Sequence, residues 1–123
     1  MKILLSIKPE FAERILDGEK KFEFRKNIFK NKDVDTVVIY ATMPVGKVIG
    51  EFKIGEIISS KPHDLWKSTK KYAGISRDFF DEYFSERDIG FAIGVENPKR
   101  YENPISLNDL LPGAIPPQSF RYF

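Results

Sequence analysis

Between residues 89 and 96, Phe91, Ile93 and Val95 alternate with Gly90, Ala92 and Gly94; between 21 and 26, Phe22 and Phe24 alternate with Lys21, Glu23 and Arg25. A strict two-residue period sends successive side chains to opposite faces, so both runs read as β-strands. Residues 2–7, the β-branched and aromatic run 35–42, and the long run 47–58 after a Pro44-Val45-Gly46 turn add three more. Gly50 and Gly55 inside the last of these predict bends or a bulge. Helical signals are few and short. Pro9 suits the first position of a helix carrying Phe11, Ala12, Ile15 and Leu16 on one face, and Gly18 suits its left-handed end. Pro62 opens a second helix with Leu65 and Trp66. Ser76 caps a third, with Asp78 in its first turn and Phe79, Phe80, Tyr83 and Phe84 at the spacing of a buried face; these four aromatics and Trp66 read as core. Ser106 to Leu111 forms one helical turn, and the aromatic tail Pro116–Phe123 docks as a closing strand. The order β-α-β-β-β-α-α-β, then a short helix and a final strand, predicts an α+β, mainly β, fold: a small, largely antiparallel barrel with flanking helices.

Composition limits the function classes. A chain of 123 residues, 41% hydrophobic and 14% aromatic, is expected to form one domain over 1–123 with a single core. No apolar run approaches the roughly 20 residues of a membrane helix, and the opening seven residues are too short for a signal peptide, so a cytoplasmic protein without a membrane partner is expected. With no cysteine, disulfides, thiolate metal sites and cysteine nucleophiles are excluded. His63 is the lone histidine and has no ligand-spaced neighbours, so no metal site is predicted. No phosphate-binding or dinucleotide glycine fingerprint occurs, and no cofactor is expected. The net charge is only +2, but residues 1–32 hold nine Lys or Arg against five acids. That bias suits an anionic ligand, and equally describes a solvated surface. Nothing in the pattern specifies an oligomeric state.

The stretch Gly18-Glu19-Lys20-Lys21-Phe22-Glu23-Phe24-Arg25 carries the chemistry. Glu23 and Arg25 share one strand face, opposite the two phenylalanines. Lys20 has the wrong parity for that face and belongs to the turn after Gly18, from which its stem could reach the same space. Together they would give donors for a phosphate or carbonyl and an acceptor for an amine or hydroxyl. The alternative is an ion-pair ladder on an exposed strand. Tyr40 and Thr42 share a strand face and could line the same cleft, or Tyr40 could be core. Ser119 and Arg121, in the tail beside Gln118, could face it if the tail closes the barrel there, or simply cap the terminus. Lys8 is either a phosphate contact or a solvated lysine.

Gly18-x-Lys20-x-x-Glu23-x-Arg25 resembles, at all four fixed positions, the G-x-K-x-x-E-x-R signature of the ASCH domain superfamily. The opening Leu4-Leu5-Ser6-Ile7-Lys8-Pro9, the Ile39-Tyr40-Ala41-Thr42 strand and the closing Pro116-Pro117-Gln118-Ser119-Phe120-Arg121-Tyr122 also resemble its small prokaryotic members. The resemblance implies a PUA-like antiparallel β-barrel with helices packed around it, and a cleft where the signature residues meet a ligand. Members are linked to RNA binding, RNA modification, translation and transcription coactivation. RNA or a nucleotide-like small molecule is therefore the expected partner, held as a nucleoside, nucleotide or unstacked base. One branch hydrolyses N4-acetylcytidine, with a threonine nucleophile where this chain has Glu23 and a carboxylate near the segment that here reads Tyr72-Ala73-Gly74. The same mechanism is not expected here. If the chain is an amidohydrolase, Glu23 would act as general base on water, with Lys20 or Arg25 stabilising the oxyanion. A third reading is a protein-interaction domain, which would expose an apolar patch.

Overall fold

The computed structural model describes residues 1–123. Six strands, β1 (Lys2–Ile7), β2 (Phe22–Arg25), β3 (Thr36–Ala41), β4 (Lys47–Ser60), β5 (Gly90–Ile105) and β6 (Arg121–Tyr122), form one sheet in the order β2-β5-β4-β3-β1-β6. The sheet curls into a half-barrel. All neighbours are antiparallel except β1 and β3, whose crossover includes the helix α1 (Pro9–Leu16) and β2. α2 (Pro62–Thr69), α3 (Arg77–Tyr83) and α4 (Leu107–Leu110) flank the sheet. No helix is long and apolar enough to cross a membrane.

β3 is buried along its whole length because both its faces are covered. Val37, Ile39 and Ala41 join Ile3, Leu5, Ile7, Phe52 and Ile93 beneath Ala12 and Ile15 of α1. Val38 and Tyr40 pack the other way, with Leu4, Val48 and Leu107 under the C-terminal segment. This double burial explains why the run Val37–Ala41 is continuously apolar rather than alternating. A third cluster joins α2 and α3 to the end of β2 and β5 through Phe24, Leu65, Phe80, Phe84 and Ala92.

The curl has a visible cause. Register slips where β4 meets β5 between Val48 and Gly50, Glu51 and Lys53, and Ile54 and Ile57, so the bends fall around Gly50 and Gly55. Gly50 is also a close approach: a Cβ there would lie 2.6 Å from the Lys99 carbonyl oxygen. β5 runs on to Ile105, nine residues past the predicted 96. The extension crosses Pro98 and Pro104, which disfavour strand in a sequence reading. Both prolines sit within the register slips, and Asn97 takes φ +47 at one of them, so neither has to donate to the ladder.

The tail docks on β1 through Tyr122 opposite Ile3 and Arg121 opposite Leu4. Phe120 meets Phe29 edge-on, and the Tyr122 hydroxyl accepts from the Lys30 amide. Because β6 covers only Ile3 and Leu4, the Ser6–Ile7 end of β1 has no strand on that side. β2 lies at the opposite end of the strand order, and its Arg25 Nη2 donates to the Ser6 carbonyl at 2.9 Å. The two ends of the sheet thus meet at a seam spanned by a side chain.

Candidate functional site

A pocket of about 280 Å³ opens at this seam, walled by Ser6, Ile7, Lys8 and Phe11 on one side, Lys20, Glu23, Phe24 and Arg25 on another, and Ile75, Phe79 and Tyr83 on the third. The alternation of β2 builds its polar wall. Phe22 and Phe24 pack toward the α2–α3 cluster, and Glu23 and Arg25 face the seam. Arg25 Nε lies 3.2 Å from Glu23 Oε2. That approach lacks hydrogen-bond alignment, so Nε–H is a buried donor with no acceptor. An unpaired buried donor is costly, and here it stands in the wall of a cavity.

Lys20 is 1% exposed. Its backbone N–H donates to the Arg14 carbonyl, its Nζ donates to the Ala73 carbonyl at 2.6 Å, and its ammonium lies 4.7 Å from the Phe24 ring centroid. The loop after α2 wraps it: the Lys21 N–H donates to Tyr72 O, and Arg14 Nη1 donates to Gly74 O at 2.8 Å. The Tyr72-Ala73-Gly74 segment thus offers this lysine a backbone carbonyl, not a carboxylate. Burial pulls the Lys20 amine down to about 8; Glu23 raises it and Arg14 lowers it further. Burial likewise raises the Tyr83 phenol, which Arg25 partly offsets.

The shift of Lys20 fixes a pH dependence. In the unfolded chain a lysine keeps its proton to about 10.4, so between about pH 8 and 10.4 the unfolded state binds more protons than the native state. Stability therefore rises with pH across that window, by about 3 kcal/mol. Below pH 8 both states are protonated and this contribution is constant. Urea unfolding between pH 7 and 10 should show the rise, and Lys20→Met should abolish it. A flat profile in the native sequence would contradict the burial of the ammonium. The raised phenols of Tyr83 and Tyr101 act in the opposite sense, only above about pH 10.

Lys20, Glu23 and Arg25 thus share one pocket. Tyr40 does not reach it; it packs on the far side of the sheet with Leu4 and Leu107. Thr42 lies in the turn after β3, where its N–H donates to the Ile7 carbonyl. Ser119 and Arg121 are exposed in the C-terminal segment, outside the pocket wall. The tail approaches the site through Pro117 instead, whose carbonyl accepts the Ser6 hydroxyl at 2.8 Å.

Phe79 and Tyr83 depart from the expected core assignment. Phe80 and Phe84 are core, but Phe79 and Tyr83 form the pocket's third wall, with rings 6.4 Å apart and 12° from parallel. A four-residue aromatic stripe is wider than one sheet face needs. The tyrosine hydroxyl was the signal that its outer ridge meets a polar space. Lys8 also lines the pocket, its Nζ 5.0 Å from the Phe79 centroid. No group of three or more acidic or histidine side chains is placed to hold a metal ion.

The ASCH domain family model matches residues 5–103. The ASCH domain-containing ribonuclease of Zymomonas mobilis is 31% identical over 121 residues, covering 97% of this chain and 82% of that protein. A crystal structure of ASCH from Zymomonas mobilis superposes with a TM-score of 0.92 at 29% identity, covering 99% of this chain and 87% of that one. Part of the large ribosomal subunit protein uL22 of Ureaplasma parvum is 31% identical over 108 residues, which is 87% of this chain but 34% of that protein. The chain belongs to the ASCH domain family.

Proposed function

We propose that this chain is an RNA-binding module that holds one unstacked base, or the corresponding nucleoside, in the seam pocket. The supporting observation is the burial of Lys20 and Glu23 together with a half-buried Arg25 beside an aromatic wall. Burying charges costs several kcal/mol each, and apolar residues of similar size would be more stable. Such an arrangement points to a ligand. The pocket volume is at the small end of ligand sites, which suits one base. Arg25 Nε and Lys20 offer donors to carbonyl or phosphate oxygens, Glu23 accepts from an exocyclic amine or ribose hydroxyl, and Phe79 and Tyr83 supply ring surface. RNA as the ligand class is supported by the ribonuclease name of the Zymomonas relative.

The test compares single-stranded and duplex RNA of one sequence by fluorescence anisotropy. Single strands should bind more tightly, since a paired base cannot enter the pocket. Phe79→Ala should cost about 1–3 kcal/mol of binding, the usual worth of stacking on an aromatic side chain. Equal affinity for duplex, or no effect of Phe79→Ala, contradicts the reading. A second reading rests on Lys20, whose amine titrates near 8 beside Glu23. That is a proton-transfer group, suited to hydrolysing a bound acylated nucleobase such as N4-acetylcytidine. Mass spectrometry of the recovered ligand separates the cases: unchanged mass means binding, loss of the acyl group means amide hydrolysis, and a shortened strand means RNA cleavage.

A further inference from the structure

Among the cations that line the pocket or rest on its walls, three are engaged by the protein itself. Arg14 donates to Gly74 O, Lys20 to Ala73 O, and Arg25 to Ser6 O beside Glu23. Lys8 and Lys26 differ. Neither ammonium has a hydrogen-bond acceptor or a carboxylate partner; each rests instead on one ring of the aromatic wall. Lys8 Nζ lies 5.0 Å from the Phe79 centroid and Lys26 Nζ 4.8 Å from that of Tyr83. A carboxylate partner would fix an ammonium by neutralising it, whereas an aromatic face orients it and leaves its charge available. The two rings are one turn apart on α3, so the two free charges stand at successive positions along the wall against which a base would lie.

Resting on the base-binding reading above, we propose that the pocket takes an internal nucleotide of a single RNA strand, its two flanking phosphates meeting Lys8 and Lys26. A free nucleoside would leave both charges unused, and a chain end would leave one. Phosphate contacts of this kind position the strand without reading sequence. They release counterions, so each adds to the salt dependence of binding.

The experiment titrates the four ribonucleosides and the four homotrinucleotides against the native protein, Lys8→Gln and Lys26→Gln at several salt concentrations. Lys8 lines the pocket and Lys26 rests on the ring of its Tyr83 wall; neither ammonium makes an internal hydrogen bond or ion pair, so the variants should fold. The native protein should favour the best trinucleotide over its nucleoside by about tenfold or more at low salt. Each variant should shrink that preference several-fold and reduce the slope of log K against log salt by about 0.7, the single-strand value for one phosphate. A native-like slope and preference in both variants would overturn the proposal, as would a nucleoside bound as tightly as its trinucleotide. In those cases base binding itself stands. If the native protein binds neither ligand class, both readings fall together.

Discussion

Arg25→Ala should lower stability by about 3 kcal/mol and weaken single-stranded RNA binding at least about a hundredfold. The two losses have different origins. The guanidinium spans the seam to the Ser6 carbonyl and lies against Glu23, whose side chain is 9% exposed. Removing it takes the nearer counter-charge from a buried carboxylate and leaves only the more distant Lys20 ammonium, and removing one partner of such a pair costs far more than the pair contributes. The double variant Glu23→Gln with Arg25→Ala removes the stranded charge and should recover roughly half of the stability loss. It should recover none of the binding, because the guanidinium that lines the pocket is still missing. Arg25→Lys keeps the charge but not the planar fork, so it should restore stability better than binding. Chemical denaturation and anisotropy on the four proteins read both quantities. Binding by Arg25→Ala within twofold of the native protein would remove this residue from the site. Failure of the double variant to regain stability would mean that Glu23 is not the stranded group.

Much of this site was legible because β-strand parity is a strong local rule. The alternation of residues 21–26 placed Glu23 and Arg25 on one face and Phe24 on the other, and Gly18 put Lys20 in the preceding turn. The helix starts at Pro9, Pro62 and Ser76 were equally readable, since proline geometry and side-chain capping act within a few residues. What could not be read depends on pairing between distant segments. Whether β1 has a free edge at Ser6 is decided by a tail that begins more than a hundred residues later. The parity of Tyr40 was legible, but not which side of the curled sheet holds the seam, and so its place in a separate core cluster was not. The same holds for α3: one helix shows two ridges, and only the docking of β2 and α1 decides that Phe80 faces core and Phe79 faces a cavity. The run of β5 beyond residue 96 was not legible for a related reason: the register slips that accommodate Pro98 and Pro104 are a property of two strands.

Gly74→Ala should be the most damaging single-methyl change in the chain, costing about 2–5 kcal/mol and lowering Tm by about 10–20 °C. Gly74 holds φ +68, and an added Cβ would lie 2.4 Å from Lys20 Cβ and 2.5 Å from Lys20 Cγ. Those are the anchored atoms of the stem, so neither rotation of a flexible end nor a small shift relieves the clash. The loop or the lysine must move, and either movement breaks the bonds from Lys20 to Ala73 O and from Arg14 to Gly74 O. Gly113→Ala is the control, since Gly113 holds φ +77 with nothing within 4 Å of the new methyl. It carries only the left-handed backbone penalty, about 1 kcal/mol. The excess of Gly74→Ala over Gly113→Ala therefore measures the contact with Lys20. If Lys20 is displaced into solvent, its amine returns toward the ordinary lysine range and the alkaline rise in stability should shrink with it. RNA binding should fall as in the Arg25 variant, although no pocket side chain has been altered. Equal costs for the two glycine substitutions, with the alkaline rise intact, would mean that the loop does not hold the lysine and that its burial has another cause.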